Sequence, residues 1–421
     1  MIKGMAFGGK KKDKGEKAGH IAGGTGGAGE ETYGQNDDLS TELIKALNKE
    51  MGTRVAYNLA TDESPTHIKR WISTGSLLLD YAISNRRGGG YPEGRIIEIA
   101  GMPSTGKTHL ACATGCNVQK MGGLVVYAET ENAVMPSHLE DLGLDIGRRF
   151  VYADPACTED LFKVAEETIT KTRAAVERKG MPILFVWDSV AATSPKAELD
   201  GDYDQNTIGL QARTISKCMR KMTGIVGAGN VTFLCLNQLR TKIGVMFGDP
   251  LTTPGGNAIP FHASVRIRLG SGAKILNKDK EQIGIKVIAS LVKNKVARPG
   301  RKVEFEIHFG RGIVEHEQVL DVLRAHCKRH GDVVRGDKLL SLTGDSAWKT
   351  LSVANKATGE VLLEKKFQIS GFAELMRDEV HGPIIHELLD GVMVIDSSRA
   401  SEADSETSES ASDDVDAGSD E

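Results

Sequence analysis

Gly101-Met102-Pro103-Ser104-Thr105-Gly106-Lys107-Thr108 is the stretch on which the reading of this 421-residue chain turns. It matches G-x-x-x-x-G-K-[ST] and has both flanks that the pattern needs: the apolar run Ile96–Ala100 before it and a helical pattern, His109–Gln119, after it. The two glycines let backbone N–H groups wrap phosphates at a helix N-terminus. In such a loop Lys107 reaches the β- and γ-phosphates and Thr108 takes Mg²⁺, so residues 101–108 form a candidate ATP site.

Around this loop, short apolar runs alternate with helical patterns. The runs are 96–100, 124–127, 183–187, 231–236, 265–269, 285–292 and 303–309. That alternation predicts an α/β core with a mostly parallel twisted sheet flanked by helices. Four runs end in a functional group: Gly101, Glu129/Glu131, Asp188 and Asn237/Gln238. Ligands gather at the carboxyl ends of parallel strands, so these ends mark one site. Asp188 closes Ile183–Trp187 as an acid on an apolar strand and is the second candidate magnesium residue, beside Thr108. Hydrolysis also needs a group to orient or deprotonate water. Glu129 and Glu131 both qualify, and spacing does not choose between them at a strand end.

Residues 239–259 make a connection of about 20 residues rich in Gly, Thr and Pro, a length that compact domains keep for functional loops. It carries Arg240 and Lys242 for phosphates, apolar Ile243, Val245, Met246 and Phe247, and Gly255-Gly256 for close backbone approach. Cations interleaved with apolar wedges suit single-stranded nucleic acid. A shorter loop, 199–208, precedes a helical pattern on which Arg213, Ser216 and Arg220 share a face.

The chain from about Ser73 to Ile313 resembles the bacterial-type RecA recombinases. The resemblance is carried by residues 191–202, 209–221, 292–300 and above all the unbroken stretch Asn237–Asn257. It implies an ATPase that polymerises as a helical filament on single-stranded DNA and pairs it with duplex DNA as second substrate. It further implies Glu131 as the catalytic glutamate, Gln238 as the γ-phosphate sensor, and Lys293 and Lys295 as fingers reaching a neighbouring subunit's ATP. Thr241 and Asn257 join the DNA contacts, and His138 stands where an aromatic covers adenine. The chain departs from the family at Thr130-Glu131-Asn132, at Pro260 where a lysine is usual, and at His109 after the P-loop threonine. This divergence suits a viral or organellar relative, placing the protein in a bacterial or host cytoplasm. The rival readings are a ring-forming helicase of the same fold and a weakly hydrolysing filament mediator.

The remaining chain divides by composition. Residues 1–38 are a Gly-rich basic arm and 396–421 an acidic Ser/Asp/Glu tail, both expected to be disordered. Residues 39–72 open on an amphipathic helix, Leu39–Met51, expected to serve oligomerisation, with the ATPase core at 73–317 and a small α+β domain at 318–395. A mean hydropathy of −0.25 and the lack of a long apolar run argue against a membrane span. No basic start followed by an apolar stretch suggests secretion. Six scattered cysteines read as reduced thiols.

Overall fold

A computed structural model describes residues 39–202, 207, 209–241, 251–344 and 346–395. The basic arm and acidic tail therefore lie outside the described residues, as do Lys242, Ile243, Val245, Met246 and Phe247 of the long connection. The chain forms two compact units, divided between His67 and Ile68.

In the first unit, α1 spans Leu39–Met51, as its apolar spacing predicts. Leu39, Leu43, Leu47 and Met51 remain exposed along it. From within the helix, Asn48 accepts from the backbone N–H groups of Val55 and Ala56 in the chain beyond it.

The second unit is built on a nine-stranded sheet. Its strands are β1 (Arg95–Gly101), β2 (Leu124–Glu129), β3 (Phe150–Ala153), β4 (Ile183–Asp188) and β5 (Val231–Gln238). A short ribbon follows, β6 (Arg240–Thr241) with β7 (Leu251–Thr252), and then β8 (Val265–Leu276), β9 (Gln282–Asn294), β10 (Lys302–His308) and β11 (Gly312–Val314) complete the sheet. The spatial order is β11-β10-β9-β8-β1-β5-β4-β2-β3. Pairing is parallel from β8 through to β3 and antiparallel from β8 out to β11. All seven apolar runs are strands, and the last two extend the parallel sheet as hairpins.

Both faces of the central strands are buried, which explains why they read as continuous apolar runs. One face sends Ile97, Ile99, Val125, Tyr127, Leu184 and Leu234 against Leu110 and Val118 of α3 (Lys107–Lys120). The other sends Ile96, Val126, Phe185, Trp187 and Phe233 against α5 (Thr158–Ala174) and α6 (Leu210–Gly229). Phe185 and Phe233 stack at 4.9 Å on that second face. The short helices α2 (Leu77–Ser84), α4 (Pro136–Asp141) and α7 (Ala258–His262) fill the loops between strands.

The C-terminal part is α+β, as expected. Strands β12 (Val333–Arg335), β13 (Lys338–Thr343), β14 (Trp348–Asn355) and β15 (Val361–Gln368) form an antiparallel sheet. Helices α8 (His316–His330) and α9 (His381–Met393) bury Leu323 and Leu388 with Leu340, Leu351 and Phe367, in a cluster continuous with the core. Polar contacts tie α9 to the core: Arg87 pairs with Asp390 at 2.6 Å, and Arg301 donates to the Met393 carbonyl at 2.7 Å. No helix among the described residues is long and apolar enough to cross a membrane.

Candidate functional site

Strand register brings the four functional ends together. Gly101 pairs with Gln238 on one side and Leu269 on the other, while Asp188 pairs with Glu129. Gly101 ends β1 and Gly106, at φ 89°, caps α3, so the turn between them lies at the helix N-terminus. Neither glycine has room for a side chain. A Cβ on Gly101 would lie 2.4 Å from Thr105 Oγ1, and one on Gly106 2.4 Å from Ile307 Cδ1. Met102, Pro103 and Ser104 are exposed at the turn, and Thr105 is buried beneath it, donating to the Met102 carbonyl at 2.9 Å. Lys107 Nζ donates to the carbonyls of Gly101 (3.1 Å) and Met102 (2.9 Å). Burial lowers its pKa, against the pull of Asp188 and Glu131.

Thr108 Oγ1 donates to Asp188 Oδ2 at 3.4 Å, and Tyr127 donates its phenol to the same oxygen. Burial raises the Asp188 pKa. The Tyr127 hydrogen bond and Lys107 oppose that rise, and Glu131 and Glu129 add to it. A hydroxyl and a carboxylate side by side form the oxygen donor set that Mg²⁺ accepts while keeping positions for phosphate and water. Among the described residues no cluster of three or more His, Cys, Asp or Glu could hold a metal.

The two glutamates that spacing left open have different surroundings. Glu129 is fully buried. Its carboxylate accepts from the backbone N–H groups of Glu131 (3.0 Å), Asn132 (2.8 Å) and Ala133 (3.2 Å), and from the Tyr152 hydroxyl (3.2 Å). That carboxylate folds the loop. Glu131 is exposed, and Ser189 and Gln238 (3.3 Å) both donate to its Oε1. Tyr127 and Ser189 did not emerge from the sequence. The signal for Tyr127 was its place two residues before Glu129 on the same face of β2; Ser189 offered none beyond following Asp188.

His138 is exposed on α4, and its ring meets that of His109 edge-on at 6.3 Å. Burial and His138 together lower the His109 pKa.

The basic residues lie on a second region. Arg213, Ser216 and Arg220 line one wall of a groove, with Asn257, Phe261 and His262 on the facing wall. Both arginines are exposed on α6. Gly255 (φ 89°) and Gly256 (φ 68°) let the chain pack on α6: a Cβ on Gly256 would lie 2.8 Å from that of Ala212. Arg240 and Thr241 are exposed on the β6–β7 ribbon, where Arg240 pairs with Thr252.

Lys293 and Lys295 are near neither glutamate in register. Lys293 pairs with Arg266, which pairs with Glu98, three residues down β1 from Gly101, about 10 Å along the strand. Lys293 Nζ instead donates to the carbonyls of Pro260 (2.6 Å) and Phe261 (2.9 Å). Burial, Lys295 and Arg266 lower its pKa to about 8, against Glu98. The sequence also gave no sign of the ion pair behind it, in which buried Glu98 accepts from Arg266 and from Asn237 (2.9 Å).

Comparison with known proteins agrees with this geometry. The model of the RecA N-terminal domain matches residues 39–314. Protein RecA of Borrelia hermsii is 44% identical over 251 residues, 59% of this chain and 67% of the relative. That of Treponema denticola is 42% identical over 290 residues, covering 68% and 67% of the two chains. That of Synechococcus sp. strain CC9902 is 38% identical over 320 residues, covering 76% and 80%. The matched region holds the phosphate loop, the four strand ends and the basic groove, and the chain belongs to the bacterial-type RecA family of ATP-dependent DNA recombinases.

Proposed function

We propose that this protein hydrolyses ATP with Glu131 as the residue that positions and deprotonates water, while filaments of it hold single-stranded DNA in the α6–α7 groove and pair it with duplex DNA. The observation that carries the reading is the contrast between the two glutamates: Glu129 is committed to three backbone N–H groups, whereas Glu131 is open and held by Ser189 and Gln238. Phosphates would meet the bare backbone of residues 101–106 and the Lys107 ammonium, which leaves the carbonyls of Gly101 and Met102 to reach them. Thr108 and Asp188 would hold Mg²⁺, which when bound offsets charge on the β- and γ-phosphates. His138 would lie on the base.

Gln238 touches Glu131 and is followed directly by Leu239 and the ribbon residue Arg240. A shift of the DNA-bound connection would thus reach the water-positioning carboxylate through one residue, which suits an ATPase that depends on DNA. Lys293 and Lys295 lie away from their own chain's phosphate loop, which supports their acting on a neighbour's ATP in the filament. The exposed apolar row of α1 supports self-association through residues 39–72, since head-to-tail contacts that do not close generate helices. The core at 73–317, the small domain at 318–395 and a cytoplasmic place of work complete the reading.

The test combines two variants. Lys107→Ala and a Lys293→Ala/Lys295→Ala double variant are each expected to lose DNA-dependent hydrolysis. Mixing them should restore part of it, because some sites then take one intact set from each partner. Absence of recovery at every mixing ratio would count against fingers supplied in trans.

A further inference from the structure

The groove between α6 and α7 contains a histidine whose hydrogen can be located from its neighbours. Thr223 donates its one hydroxyl proton to the Met219 carbonyl, 2.7 Å away on α6. The same oxygen lies 2.8 Å from His262 Nδ1. Toward the ring it can therefore only accept, so Nδ1 carries the hydrogen of the neutral imidazole. Nε2 is the bare nitrogen: it accepts while neutral, and it becomes a donor on a charged ring once protonated.

The ring lines the groove beside Arg220, and the exposed Phe261 meets it edge-on at 5.3 Å. The charges that reach it are cationic: Arg220 from α6, and Lys293 and Lys295 from β9 and the turn after it. On β1, which also packs against α7, the charged residues are Arg95 and Glu98. The Glu98 carboxylate is taken by Arg266 and Asn237. Burial first, then these three cations, lower the histidine's pKa from its ordinary value. A phosphate backbone laid along Arg213 and Arg220 reverses that field. It neutralises the cations that oppose protonation and brings acceptor oxygens to a ring that can offer a second N–H only when charged.

We propose that His262 is a proton-linked phosphate contact, taking up a proton at Nε2 when the groove closes on a polynucleotide backbone. This rests on the reading of the groove as the single-strand track. The sign follows from linkage. Binding raises the histidine's pKa above its value in the free protein. The added affinity is complete below the free value and is lost as pH rises through the bound value. Each unit of difference is worth a factor of ten in affinity per subunit.

The experiment is calorimetric titration of the full chain with oligo(dT), whose bases do not titrate near neutrality, in the presence of a slowly hydrolysed ATP analogue. Repeating it near pH 6.5 in buffers of different ionisation enthalpy counts the protons taken up. His262→Asn keeps an N–H toward Thr223 and His262→Gln keeps a polar side chain, and neither titrates. Wild type is expected to take up a fraction of a proton per subunit that neither variant takes up. Its affinity should also gain roughly up to tenfold more than theirs between about pH 8 and pH 6. A control with the nucleotide analogue alone tests the other source of phosphate. Equal proton uptake and equal pH profiles in variants that bind oligo(dT), or an excess uptake seen with nucleotide alone, would overturn the proposal while leaving the track in place. Wild-type binding that ignores Arg213→Ala and Arg220→Ala would remove the track and the proposal with it.

Discussion

In the proposed function, the phosphate loop and the α6–α7 groove would meet phosphate by opposite means. Around the loop, charge is buried and answered within the chain: Asp188 by Tyr127 and Thr108, Glu129 by backbone N–H groups, Lys107 by carbonyls. In the groove, Arg213 and Arg220 stand exposed on a helix face. The first arrangement fixes geometry at the expense of desolvation, as an active site must. The second keeps charge in water, where it attracts a polyanion without selecting its sequence. Changes at the loop should therefore alter turnover, and changes in the groove should alter how binding depends on salt.

The largest effect is expected at Lys107. Its replacement by Ala removes the phosphate loop's own lysine and should cut DNA-dependent hydrolysis by about 10³-fold or more, measured as phosphate release. Next, Glu129→Gln places an amide where backbone donors converge. It should cost about 1.5–3 kcal/mol of stability in denaturant unfolding, a loss of fold rather than of chemistry. Arg213→Ala and Arg220→Ala should each flatten the plot of log affinity against log salt for single strands, by about 0.7 for every phosphate that the arginine had neutralised. Turnover at saturating DNA should stay near wild type. A groove variant that instead changed turnover at saturation and left the salt slope alone would erase the distinction between the two regions.

Two smaller effects sharpen it. Lys293, with its pKa lowered to about 8, gives up its charge as pH rises through that value. Filament ATPase should then fall several-fold on the alkaline side if the lysine acts as a finger, and Lys293→Arg should carry the activity to higher pH. Gly256→Ala pushes a methyl group to within 2.8 Å of Ala212 at a positive φ. It should lower stability by about 1–3 kcal/mol in thermal unfolding and weaken single-strand binding in step.

What could be read from sequence follows the same division. The phosphate loop is legible because its geometry is a backbone requirement: glycines at 101 and 106 are imposed by contacts with Thr105 and Ile307, and a short pattern suffices to express them. The sheet is legible because strands buried on both faces must be apolar throughout. Alternation failed where β2 ends, since Glu129 turns inward to cap a loop and Glu131 lies beyond the strand; burial and hydrogen bonds distinguish them. The Glu98–Arg266–Asn237 set was invisible, because its members come from three strands and are joined only by register. Thr223 and His262 were silent for the same reason: a threonine on a helix and a histidine 39 positions later carry no shared spacing signal. The groove itself was legible through Arg213, Ser216 and Arg220 on one helix face, whereas on its far wall only Asn257 was named and Phe261 and His262 were not.

The central claim is that one of two neighbouring glutamates does the chemistry and the other holds the loop. It is tested most directly by single-turnover hydrolysis of ATP on preformed complexes with oligo(dT), comparing Glu131→Gln with wild type. Glu131→Gln should retain ATP and DNA binding while the hydrolytic step slows by about 10²–10⁴-fold. Hydrolysis by Glu131→Gln at the wild-type rate, with ATP and DNA bound as before, would contradict the account.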